Sequence, residues 1–130
     1  MEIITHQAID PNLCGRPLQV EKGYSRVALL TSQAMAADQS GLVHGGFIFG
    51  LADFAAMIAV NHPNVVLGAA DVKFLKPVRV DETVVAEARV EENKGKKHWV
   101  AVSVSHHEDI VFQGMFTCFV LENHVLETRS

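Results

Sequence analysis

The stretch from Leu42 to Val60, LVHGGFIFGLADFAAMIAV, decides how the rest of the chain is read. It is the most apolar run in the sequence, and about 20 apolar residues suffice to cross a bilayer. Its contents argue against that. His44, Gly45, Gly46 and Gly50 interrupt it, and Asp53 stands near its middle, where an ionisable group in hydrocarbon costs about 2.5 to 3.5 kcal/mol on insertion scales. A helix buried in protein is the expectation. Gly45 and Gly46 are tolerable in its first turn, and Asn61-His62-Pro63-Asn64 ends it, because Pro63 cannot continue the hydrogen-bond ladder and disfavours helix at His62. These limits bound the helix at about seventeen residues.

Beyond the helix the period changes to two. Val65–Phe74, Thr83–Val90, His98–His106 and Ile110–Leu121 are rich in Val, Phe or Thr, with turn chemistry at Lys76-Pro77, at Glu92-Asn93-Lys94-Gly95 and at Glu108-Asp109. Antiparallel strands are expected from all four. In the third quarter of the chain Val84, Ala86, Ala88 and Val90 alternate with Val85, Glu87, Arg89 and Glu91, so one face of the sheet is covered and the other is wet. Before the helix, Pro17–Thr31 reads as a hairpin broken at Lys22-Gly23, and Ser32–Gly41 as a short helical turn leading into a loop. A sheet curled around one long central helix buries both apolar surfaces, which makes this an α+β domain. The last residues, ETRS, read as a solvated tail.

Composition narrows the function. The 130 residues, 48% hydrophobic and 20% charged, fit a single domain over 1–130 and leave no room for two. Fifteen acidic against eleven basic side chains give a formal charge of -4 with no long basic run, which excludes a nucleic-acid surface or a polybasic membrane anchor. The opening MEIITHQAID lacks the layout of a secretory signal, so a cytoplasmic protein is expected. Cys14 and Cys118 form no CxxC or Cys/His cluster and read as reduced structural thiols. His106-His107 are expected on opposite faces if the strand persists through them, which disfavours a metal pair, and Trp99 is read as core or interface.

Two features of the helix carry chemistry. Consecutive glycines at a helix N-terminus present unpartnered backbone N–H groups at the positive end of the macrodipole, a setting for an oxyanion. The Gly45 N–H, with Gly46 beside it, is the candidate donor; the bland alternative is that the glycines only admit the chain to a crowded core. Asp53 is a weak helix former among Ala52, Phe54, Ala55, Ala56 and Met57. It is either a satisfied structural carboxylate or a general base or nucleophile tuned by a dry pocket. Gly45 and Asp53 are eight residues apart, about 12 Å along a straight helix, too far for one chain's carboxylate to serve its own glycine. Two antiparallel helices across a two-fold axis would instead create two composite sites.

The string His44-Gly45-Gly46-Phe47-Ile48-Phe49-Gly50-Leu51-Ala52-Asp53 resembles the hotdog-fold acyl-CoA thioesterases, in particular the PaaI-like branch, and Asp71-Val72-Lys73-Phe74-Leu75-Lys76-Pro77 resembles that superfamily's strand after the helix. The resemblance spans about residues 20 to 121. It implies a hotdog fold, thioester hydrolysis without a metal or cofactor, coenzyme A as part of the substrate, and dimers that often pair into tetramers. Asp53 matches the catalytic carboxylate that attacks the thioester or activates water. Six residues before His44, where PaaI-like enzymes commonly place a water-orienting asparagine, stands Asp38, and no serine or threonine stands near Leu67. An acid there would raise one of two coupled pKa values if Asp38 and Asp53 shared a pocket. The segment AADVKFLKPV also resembles the ligand domain of FapR-type repressors, which bind malonyl-CoA without hydrolysing it, so a non-hydrolytic acyl-CoA sensor or interaction protein is the alternative. His44 either caps the helix or touches the thioester; Lys73, Lys76 and Arg79 either bind CoA phosphates or form a solvated sheet edge.

Overall fold

The computed structural model describes residues 1–128. A single helical turn, α1 (Pro11–Cys14), leads into the hairpin of β1 (Arg16–Glu21) and β2 (Tyr24–Leu30) and a 3-10 turn at Gln33–Met35. Helix α2 (Gly45–Val60) follows, then β3 (Val65–Phe74), β4 (Thr83–Lys94), β5 (Lys97–His106), β6 (Asp109–Val120) and a 3-10 turn at Val125–Thr128. The six strands form one antiparallel sheet in the order β1-β2-β4-β5-β6-β3. Strand β3 therefore lies at an edge, although it follows the helix directly. Residues 75–82 cross back to β4, and on the way the Val78 carbonyl accepts the Val43 N–H at 2.8 Å, which pins the entrance of α2.

Helix α2 buries Ile48, Leu51, Ala52 and every residue from Phe54 to Ala59. A helix apolar on all sides must be enclosed, and the sheet wraps it, chiefly through β2, β4 and β5. The alanines let strands approach closely enough for the buried Ser25 hydroxyl to donate to the Ala55 carbonyl at 2.7 Å. On β4, Val84, Ala86 and Ala88 are fully buried while Glu87, Arg89 and Glu91 are exposed, as the alternation requires. The helix stops at Asn61, which adopts the left-handed conformation (φ 52°) two residues before Pro63.

Some expectations shift. Strand β4 runs to Lys94 instead of Val90, because a bulge between Val90 and Glu92 resets the register and pairing continues to Lys94–Lys97. His106 and His107 do not point to opposite faces: the strand ends at His106, His107 turns with φ 53°, and the two ring centroids lie 4.2 Å apart. Among the described residues no group of three or more His, Cys, Asp or Glu is placed to hold a metal ion. Trp99 is half-buried, with the Lys97 ammonium 5.1 Å from its ring centroid. Cys14 and Cys118 are free thiols. Glu127 is exposed, and Arg129 and Ser130 of the expected tail lie outside the described residues. Among the described residues no helix is long and apolar enough to cross a membrane.

Candidate active site

Asp53 projects from the middle of α2, flanked by the fully buried Ala52 and the buried Phe54. Its Oδ1 is buried and meets no hydrogen-bond partner among the described residues. Buried polar atoms are mostly hydrogen-bonded, and among the described residues this oxygen shares its unsatisfied state with His98 Nδ1. Loss of water raises its pKa from the ordinary carboxylate range to about 6. Burial, and secondarily the Asp53 charge, also pushes the Cys118 thiol up to about 12 and raises that of Cys14.

The cleft onto which Asp53 opens, about 360 Å³, is lined by Met57 of α2, Val65 to Leu67 of β3, and residues from both chain ends, notably Thr5, His6 and His124. Nothing in the periodic pattern of the sequence flagged Thr5 or His6. They arrive there because Asn61 reaches across from the end of the helix: its Oδ1 accepts the Ile4 N–H at 2.9 Å and its Nδ2 donates to the Glu2 carbonyl at 2.8 Å. An asparagine at a helix end signals a cap, but not which distant segment its side chain holds.

At the other end of α2 the two glycines separate in role. His44 is the N-cap, its Nδ1 accepting the Gly46 N–H at 2.8 Å. That bond corrects the expectation that Gly46 assists an oxyanion, since its N–H is already used; it also makes His44 a cap. A Cβ at Gly46 would lie 2.8 Å from the same nitrogen, so glycine is what lets the imidazole close down on the helix. The Gly45 N–H meets no acceptor among the described residues. Gly45 lines a second cleft of about 260 Å³, together with Ile48, Phe74, Lys76 and Val111. Gly45 and Asp53 thus face different clefts, as their spacing along the helix requires.

Asp38 is not brought to Asp53 within the chain. It is exposed, its Oδ1 accepts the Ser40 hydroxyl and the Ser40 N–H (2.9 Å), and these bonds hold its carboxyl below the usual range. The coupled pair considered from the sequence is therefore absent within one chain. Lys73 is exposed on edge strand β3, Lys76 stands at the Gly45 cleft with Asp109 2.9 Å away, and Arg79 is exposed in the crossing segment. Leu67 lines the Asp53 cleft, so β3 offers no hydroxyl there.

An antiparallel sheet wrapped around one long helix, with an unsatisfied carboxylate at mid-helix and open glycine N–H at its start, defines a hotdog domain. The chain belongs to the Thioesterase superfamily, whose family model matches residues 40–112. It is 54% identical over 123 residues to the methylthioribose-1-phosphate isomerase of Aquifex aeolicus, covering 94% of this chain and 27% of that protein. To the transcription factor FapR of Caldanaerobacter subterraneus it is 29% identical, covering 89% of this chain and 58% of that one. The chain thus spans about a quarter of the first relative and somewhat over half of the second. Among solved structures, the uncharacterized protein PH1136 of Pyrococcus horikoshii superposes with a TM-score of 0.96 at 51% identity, covering 97% of each chain. A mutant of the phenylacetic acid degradation protein PaaI from Thermus thermophilus gives 0.77 at 25% identity, covering 84% of this chain and 95% of that one. A hypothetical thioesterase from Streptococcus pneumoniae with coenzyme A shares the fold, with a TM-score of 0.76 at 18% identity over 84% and 87% of the two chains.

Proposed function

We propose that this chain is an acyl-CoA thioesterase whose active site is completed across a homodimer. The observation that carries the reading is the Asp53 carboxylate: central, desolvated, poised at a pKa of about 6, and with a buried oxygen that no group among the described residues satisfies. In this scheme Asp53 takes a proton from water as the water oxygen bonds to the thioester carbonyl carbon. The Gly45 N–H, at the positive end of the helix, receives the oxyanion. Collapse breaks the C–S bond, and the proton passes from Asp53 to sulfur, leaving a carboxylic acid and the thiol of CoA. No metal or cofactor enters the scheme.

The positions of the two clefts support the dimer. The Asp53 cleft borders the start of β3, at Val65 to Leu67, and the Gly45 cleft borders its end, at Phe74. Strand β3 has β6 on one side and an open edge on the other. A second copy related by a two-fold axis perpendicular to that edge strand would set the start of one β3 against the end of the other, and so Asp53 of one protomer beside Gly45 of its partner. The exposed Phe74, Leu75 and Met115 on and around this edge favour such cover. Lys76, which lines the Gly45 cleft, and Lys73 and Arg79, three residues to either side of it in sequence, would meet the CoA phosphates.

The second reading, an acyl-CoA sensor that does not hydrolyse, is favoured by the FapR relative and by Asp38 in place of a neutral amide. Thiol release from a panel of short, long and aryl acyl-CoAs, run beside calorimetric binding, separates the two. Hydrolysis is expected from the wild type and not from Asp53→Asn, with CoA binding retained in both. Tight binding of one thioester with no release of thiol from any would establish the sensor instead.

A further inference from the structure

The segment tied down by Asn61 brings a second imidazole-bearing turn to the Asp53 cleft. Between its anchors at Glu2 and Ile4 and the packing of Ile9 on the core, the backbone turns at His6 with φ 53°. Thr5 is buried, and its hydroxyl lies 2.8 Å from His6 Nδ1, which fixes the ring. His124, the other imidazole lining the cleft, is committed differently. Its Nδ1 accepts the Leu126 N–H at 3.1 Å, so the neutral ring carries its proton on Nε2 and can only donate. Asp38 is occupied by Ser40 outside this cleft, and Leu67 has no polar atom on its side chain.

Building on the thioesterase reading, we propose that His6 is a positioning residue, whose ring accepts a hydrogen bond from the water that Asp53 deprotonates and so aims that water at the thioester carbonyl. The role requires the tautomer in which Nδ1–H donates to the Thr5 hydroxyl, 2.8 Å away, and leaves the lone pair on Nε2. The water gives one proton to Asp53 and keeps the other, which is shared with His6, while its oxygen forms the new C–O bond. Burial holds the His6 pKa below its ordinary value, which favours the neutral ring that this role needs.

The left-handed backbone makes His6→Gly the cleanest deletion, because glycine keeps that turn without strain. The expected result is a kcat about 10²-fold lower, with KM within about threefold of wild type. Imidazole added to the assay should recover part of the lost kcat, which a merely structural role would not allow. An unchanged kcat in His6→Gly, with Asp53→Asn inactive, overturns the role of His6 and leaves the thioesterase reading standing; so does a loss that imidazole does not lift. A wild type that releases no thiol from any thioester removes both.

Discussion

A carboxylate without a partner in a dry site costs stability whenever it is charged, and Asp53 makes that cost measurable. Its folded pKa of about 6 lies above the ordinary Asp value, which is about 3.9 for an unfolded chain. Below the lower value both states are protonated and nothing is lost. As pH rises toward 6 the unfolded chain ionises first, so stability falls and then levels off above the folded pKa. Asp53→Asn should accordingly be more stable than wild type by about 1 to 3 kcal/mol near pH 8 and no more stable near pH 4, as read by denaturant unfolding. The same carboxylate must be ionised to accept a proton from water, so turnover is expected to rise with pH through a midpoint near 6. His44 acts on stability by a different route. His44→Ala removes the side chain bonded to the Gly46 N–H, and a loss of about 1 kcal/mol is expected in thermal unfolding.

At the scale of elements, α2 is held at both ends by contacts that reach far along the chain. The crossing segment pins its start through Val43 and Val78, and Asn61 links its end to Glu2 and Ile4. Asn61→Gly preserves the left-handed cap and deletes only the two side-chain bonds, so the helix should persist while the N-terminal segment loosens. Hydrogen exchange should show faster exchange at the Ile4 amide with little change in the core of α2. Equal loss across the helix would mean that Asn61 supports α2 itself. The helix and its stop were legible because Pro63, the glycine pair and an all-apolar run are local signals. The extension of β4 past Val90 was not, since a bulge depends on what the partner strand β5 offers.

For the whole molecule the question is whether each site is shared. Asp53→Asn and Gly45→Val, each expected to be inactive alone, test this by mixing. A valine at 45 projects toward the Phe74 ring, where even a Cβ would stand 3.1 Å from Cε2. When unfolded together and refolded, half of the dimers are mixed and each mixed dimer holds one intact site, so about a quarter of wild-type activity per protomer should return. A site contained in one chain would return none. A monomer in light scattering at micromolar concentration would equally contradict the shared site.

What the sequence determined alone was the set of elements and the helix that carries the residues proposed for the chemistry. Apolar period, glycine and proline placement and strand alternation are short-range properties, and Asp53 and Gly45 stood out because a buried acid and a bare helix start are costly unless used. What only the tertiary structure decided was how those groups are surrounded. The placement of β3 at the sheet edge, the use of the Gly46 N–H by His44, the engagement of Asp38 with Ser40 and the arrival of Thr5 and His6 beside Asp53 each depend on side-chain direction or on contacts between distant residues. Local periodicity says which face of a strand or helix is buried; it does not say which other part of the chain lies against it, because that is settled by the packing of all elements at once.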